Sequence, residues 1–305
     1  MNELTNCEVD IVGGDGEFVV SRVRSGEDLP PSILFSPALE RPAPASLAKL
    51  ERSYALRGEL DPSWAARPVE LVNYQGRPSL LMEDRGGEFL DKVIDGPMAV
   101  PEFLRVASGI AKVLGCLHAK GLVHRDIKPA NVIVDMETGE AWLTGFGLVS
   151  RLPRLRPAPE PPEVIAGTLA YMAPEQTGRM NRSIDSRSDL YSLGVTYYEM
   201  LVGGLPFTAG YAMEWIHCHI ARLPVSPSAR ANGIPGAISA IVMKLLAKSA
   251  EERFQTATGV EADMDIDPAL VCWSCYGYYG HKASRSRFAT SAGRISPCDT
   301  GDDHG

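Results

Sequence analysis

No stretch of this chain approaches the ~18 uninterrupted apolar residues that a membrane-crossing helix needs. A basic excess is missing too: 30 lysines and arginines against 38 aspartates and glutamates leave a net charge of -8. That balance argues against a nucleic-acid binder and against a polybasic membrane-surface protein. The opening residues, MNELTNCEVD, carry neither a basic region nor an apolar run. No signal peptide is therefore expected, and the cytoplasm is the expected compartment. Six cysteines in 305 residues are too few for a disulfide scaffold. Lysine is scarce at the start, where residues 1–91 hold only Lys49, and leucine is absent from residues 271–305. Internal repeats are absent as well.

What is present is ordinary globular composition, 45% hydrophobic and 22% charged. VDIVGGDGEFVVSRV reads as two strands around a turn at Gly13, Gly14 and Gly16, and SILFS (32–36) as a short buried strand. Leu47, Leu50 and Tyr54 recur at helical spacing within 44–60, which should stop near Gly58. VELVNYQGRPSLLME reads as a hairpin. Beyond residue 100 the pattern turns helical: Phe103, Ala107, Ile110, Leu114 and Leu117 line one face, with Pro101 in the first turn and Gly121 at the stop. Short strands at 132–134 and 141–143 precede a nearly all-round apolar helix at 190–202. Further helices are expected at 213–222 and 238–248. RLPRLRPAPEPP (151–162) reads as a mobile loop.

The chemistry is concentrated in short motifs. His124-Arg125-Asp126-Ile127-Lys128-Pro129-Ala130-Asn131 lies between a helix and a strand. Gly145-Phe146-Gly147, Ala173-Pro174-Glu175, Asp189-Leu190-Tyr191-Ser192-Leu193-Gly194 and a late Arg253 follow in order. Together they resemble the protein kinases: catalytic loop, metal-binding Asp-Phe-Gly, end of the activation segment, central helix, and the arginine that pairs with Glu175. Lys128, two residues after Asp126, resembles the serine/threonine type. GTLAYMAPEQTGRMNRSIDSRSDLYSLGVTYYEML and IVMKLLAKSAEERFQTA further resemble the kinase-like domain of large bacterial hybrid sensors, which precedes ATPase-type and histidine-kinase parts.

The resemblance implies an α+β, two-lobed fold over residues 8–265, with a β-rich N-lobe to about 83 and a helical C-lobe from 84. It implies ATP and Mg²⁺ as cofactors and a protein serine or threonine as substrate. Asp126 would orient the substrate hydroxyl, Lys128 would contact the transferred phosphoryl group, and Asn131 would hold Mg²⁺. Gly14 and Gly16 would cover the nucleotide. Arg125 would meet a negative charge on the activation segment, and Thr168 would shape the substrate site. Asp189, Glu175 and Arg253 would be buried supports.

The departures bear on function. Gly145 stands where the aspartate that bridges Mg²⁺ to phosphate belongs, and Asp135 and Glu137 lie at a later turn. The strand at 32–36 carries no lysine, and Lys49 falls on the helix. Helical geometry turns Glu51 inward, whereas alignment with the family puts Ser53 at the paired-glutamate position. Gly14-Asp15-Gly16 is followed by Val19 where a third glycine belongs, and Asp15 would repel triphosphate. Arg22 and Arg24 share one strand face and are candidates for a displaced phosphate-binding cation. Two such losses predict a rate down by ~10⁴–10⁶. The rival to a weak enzyme is a pseudokinase acting as an interaction module.

Two cysteine and histidine groups are discounted as metal sites. His217 and His219 point about 200° apart on a helix, and Cys272, Cys275, His281 and Cys298 lack a foldable context. Residues 266–305 are expected to be disordered. The abrupt end of the resemblance there fits a frameshift from about 268.

Overall fold

The computed structural model describes residues 2–4, 7–25, 31–152, 166–180 and 182–265. The expectations for the segments 153–162 and 266–305, including the candidate zinc ligands of the tail, lie outside those residues.

The chain begins as a six-stranded sheet. In chain order its strands are β1 (Asn2–Glu3), β2 (Cys7–Gly14), β3 (Phe18–Ser25), β4 (Ser32–Pro37), and, after the helix α1 (Pro44–Ala55), β5 (Pro68–Tyr74) and β6 (Arg77–Glu83). Their spatial order is β1-β5-β6-β4-β3-β2, antiparallel throughout except for β1 on β5. The hairpin β5–β6 turns through Gln75 (φ 50°) and Gly76 (φ 75°). Two consecutive positive φ values match the right-handed twist of the strands they join. β4 is buried along its whole length, as its run of apolar residues requires.

A second region is mainly helical. β7 (Glu88–Phe89) leads into α2 (Leu90–Val93) and the long α3 (Val100–Ala119), then β8 (Leu122–Val123), β9 (Val132–Val134), β10 (Ala141–Leu143) and β11 (Ser150–Arg151). β10, β9 and β7 form a small antiparallel sheet, and β11 pairs with β8. α4 (Ser186–Val202), α5 (Ala212–Ile220), α6 (Pro227–Arg230), α7 (Gly236–Leu245) and α8 (Ala257–Met264) complete the order. No helix among the described residues is long and apolar enough to cross a membrane.

α4 is the centre of this region. Asp185 caps its start by accepting from Arg187 N–H at 2.8 Å, and Gly203 (φ 74°) ends it. Leu190, Leu193, Tyr197 and Leu201 are buried to 1% exposure or less, matching the all-round apolar pattern. Tyr197 meets Phe103 edge-on at 5.5 Å and donates its hydroxyl to Ala107 O at 2.5 Å, which locks α4 to α3. One apolar core continues from Val20 and Ile33 of the sheet through α3 to Val260 of α8. A smaller cluster, Val23, Leu34, Val72 and Leu81, covers the other sheet face. The architecture is the two-lobed α+β arrangement expected.

α1 corrects one expectation. Its buried side is Ser46, Leu50 and Ser53, and Glu51 is exposed. The helix faces the Gly145–Leu148 segment, where a Cβ on Gly147 would come within 2.6 Å of Lys49 Cβ. An approach that close selects small side chains, so the inward face is not centred on the leucines. Ser53, not Glu51, takes the inward position.

Candidate active site

The loop between β8 and β9 is held from below by Asp189 of α4. Its buried carboxylate accepts from His124 N–H (2.8 Å), Arg125 N–H (2.7 Å) and His118 Nε2 (2.9 Å). These bonds hold Arg125 at φ 70°, a conformation that needs such support. His124 is fully buried, and burial pushes its pKa below the ordinary value despite the nearby Asp189. The ring is therefore neutral, donating from Nε2 to Thr144 O (2.8 Å) and accepting Asp126 N–H at Nδ1 (3.3 Å).

The three catalytic-loop residues are brought together. Asp126 Oδ1 accepts from both the N–H and the hydroxyl of Thr168, each at 2.9 Å. Lys128 Nζ donates to Thr168 Oγ1 at 2.9 Å and lies 3.4 Å from Asp126 Oδ2. Asn131 Nδ2 donates to Asp126 O (2.7 Å) and Asp126 Oδ2 (3.1 Å). Arg253 and Glu175, both buried, form a two-point ion pair at 2.7 and 2.9 Å. Ser188 Oγ donates to the same carboxylate, and backbone carbonyls of Arg187, Ala247 and Lys248 take the remaining guanidinium hydrogens. Arg125 Nε is buried without a hydrogen-bond partner among the described residues.

The metal corner does not fit Mg²⁺. That ion demands near-octahedral oxygen ligation, normally anchored by carboxylates. Gly145 supplies no ligand, and a Cβ there would lie 2.5 Å from Asn131 Oδ1. Asn131 packs against Gly145, and its amide bonds to Asp126. Asp135 caps its own turn through Glu137 and Thr138 N–H. No cluster of three potential carboxylate, histidine or cysteine ligands occurs among the described residues.

Above the loop, the β2–β3 turn reaches down with two carboxylates. Asp15 Oδ1 accepts from Glu17 and Phe18 N–H (3.1 and 3.0 Å), while its Oδ2 binds Lys128 Nζ at 2.7 Å. Burial raises the Asp15 pKa, but the Lys128 bond and charge and the two amides outweigh it, so the net shift is downward. For Lys128, burial lowers the pKa, and Asp126 and Asp15 more than reverse it. Glu17 is received by α1, with Lys49 Nζ at 2.6 Å on one oxygen and Ser46 Oγ at 2.8 Å on the other. Gly14 lines the cleft, whereas Gly16 (φ 83°) is the open tip of the turn, with no atom within 4 Å of a would-be Cβ.

Lys49 was missed as a site residue because it lies off the strand; its place one helical turn before Ser53 was the available signal. Glu17 and Phe35 carried no signal in the sequence. Phe35 lines the cleft from β4 with Val20, Leu80, Met82, Phe89 and Leu148. Arg22 and Arg24 are not displaced phosphate cations. Arg22 is paired with Asp84 at 2.6 Å and donates to Gly87 O at 2.9 Å, on the segment after β6. Arg24 is an exposed partner of Asp10 at 3.7 Å. His217 is exposed while Cys218 and His219 are buried, so the three do not converge on a metal.

A sheet-bearing region, a helical region and an Asp-Lys-Asn loop facing the β2–β3 turn define the two-lobed protein-kinase type of fold. Residues 67–263 match the protein kinase domain family, and the chain belongs to that family. The turn carrying Asp15 and Glu17, with Phe35 and Lys49, precedes the matched span. Serine/threonine-protein kinase PknB of Mycobacterium tuberculosis (strain ATCC 25618 / H37Rv) is 34% identical over 189 residues, 61% of this chain and 30% of that protein. The probable PknB of Bifidobacterium longum is 32% identical over 61% of this chain and 27% of its own length. PksC of Streptomyces coelicolor is 33% identical over 59% of this chain and 33% of its own. The chain thus spans about a third or less of the length of these relatives.

Proposed function

We propose that residues 8–265 form a kinase-fold module in which transfer from ATP to protein serine or threonine is lost or reduced to a trace, and which acts by binding a signalling partner. The observation that carries this reading is the Asn131 amide bonded to Asp126 beside Gly145. The hydroxyl-orienting aspartate remains, but the ligands that would bring metal and phosphate to it do not. Each lost preorganised contact is worth ~3–4 kcal/mol. The motif stretch 167–201 supports placement in a cytoplasmic hybrid sensor, where a binding module would relay to a separate catalytic part. Arg125, with its buried free Nε, is the group that would read an anion on the activation segment.

Steady transfer from radiolabelled ATP to a serine/threonine peptide library tests the reading. The expected rate is at least ~10⁴ below the ~1–100 s⁻¹ of ordinary kinases, and unchanged by Asp126→Asn. An Asp126-dependent rate near ~1 s⁻¹ would overturn it.

A further inference from the structure

Two ammonium groups beside the cleft are already neutralised by carboxylates from one turn. Asp15 holds Lys128, and Glu17 holds Lys49, whose second partner, Ser46, fixes the carboxylate orientation. The Asp15–Lys128 pair is the more enclosed of the two. The Lys128 side chain is only 5% exposed, and Asp15 is fixed by two backbone amides in addition to its ion pair. Asp91 and Asp126 also line the cleft, and Lys92, 3.4 Å from Asp91, stands beside Gly13, so four carboxylates meet three ammoniums. No metal corner is available to offset them. A polyphosphate entering here would have to displace one carboxylate from each lysine and then sit beside the displaced anions, which remain anchored to the turn. Like charges in a partly desolvated cleft repel strongly.

The rest of the cleft is different. Val20, Phe35, Leu80, Met82, Phe89 and Leu148 form apolar walls, with Phe35 reaching in from the strand on which the resemblance places a lysine. Such walls favour a flat, uncharged ring system.

We propose that Asp15 and Glu17 are an internal anion filling the phosphate positions of this cleft, and that its ligand is an uncharged planar compound of nucleoside type rather than a nucleotide polyphosphate. Asp15 and Glu17 are then the residues that set ligand class. The inference rests on the reading of the cleft as a disabled transfer site, and a binding measurement without turnover separates the two.

The experiment is calorimetric titration of the full chain with adenosine, ADP and ATP without divalent metal, on the wild type and on Asp15→Asn/Glu17→Gln. Wild type is expected to bind adenosine at least about tenfold more tightly than ATP. The double variant is expected to narrow that ratio by at least about tenfold, with adenosine affinity within about twofold of wild type. If the double variant loses its folded circular dichroism signal, Asp15→Asn alone serves, since its side-chain oxygen still caps the turn; ATP affinity should rise by about threefold or more. ATP binding as tightly as adenosine in the wild type overturns the proposal, as does an unchanged ratio in the variant. Failure of every ligand to bind also overturns it, while leaving the loss of transfer standing; a measurable transfer rate with adenosine preference intact would do the reverse.

Discussion

Gly145 and Asn131 are packed so closely that a Cβ on the glycine would lie 2.5 Å from the asparagine Oδ1. A side chain at position 145 therefore requires Asn131 to move. The asparagine amide is held in that position by hydrogen bonds to Asp126.

Gly145→Asp should fail to recreate a working site. Gly145 sits at φ 74°, where a side-chain-bearing residue is strained, and the contact with Asn131 adds to the cost. Destabilisation of about 1–3 kcal/mol is expected in urea unfolding, with no gain in Mg²⁺ affinity. A variant as stable as wild type would show that Asn131 yields freely.

The Glu175–Arg253 pair is buried and fully hydrogen-bonded. Removing one partner leaves the other charge uncompensated. Arg253→Met should lower unfolding stability by about 3–5 kcal/mol, as measured by chemical denaturation, and Glu175→Gln should also lower it. A loss under about 1 kcal/mol would contradict the role.

His219 gives the chain a pH dependence. Its ring accepts the Tyr191 hydroxyl at Nδ1 (3.0 Å) and donates from Nε2 to Leu169 O (2.8 Å), an arrangement that requires the neutral form. Burial, aided by Lys248, pushes its pKa down to about 4. In the unfolded chain the ring takes up its proton near the ordinary value of about 6.5. Its contribution is thus complete above that value and is lost as pH falls from about 6.5 toward 4. Stability should fall by roughly 3 kcal/mol over that window, and His219→Gln should flatten the slope. An unaltered slope in the variant would place the titration elsewhere.

Arg22 should matter for stability and not for nucleotide. Its ion pair with Asp84 and bond to Gly87 O tie β3 to the segment after β6. Arg22→Ala is expected to cost about 1–3 kcal/mol and to leave ligand affinity unchanged; a drop in affinity for ATP relative to adenosine would restore the phosphate role.

The site was legible where chemistry is written in contiguous residues. His124 to Asn131, Ala173 to Glu175 and Asp189 each lie in one short segment, and the bonds they make follow from the residue types. What the sequence did not carry were contacts made across the fold. Lys49 enters the cleft because Gly147 lets α1 approach within van der Waals distance, a constraint no helical periodicity records. Asp15 could be read as repelling phosphate, but its partner lies 113 residues away. The strand segments and the buried helix α4 followed from apolar patterning, whereas Arg22 was misplaced because a shared strand face does not specify what lies opposite it.

The most direct test of the central claim is thermal unfolding of the full chain with ATP, with and without Mg²⁺. A ligand that binds the native state must raise its stability. The structure predicts no Mg²⁺-dependent stabilisation by ATP, because Gly145 offers no ligand, Asn131 is bonded to Asp126, and both lysines are held by carboxylates. A rise in melting temperature that appears only when Mg²⁺ and ATP are present together would contradict it.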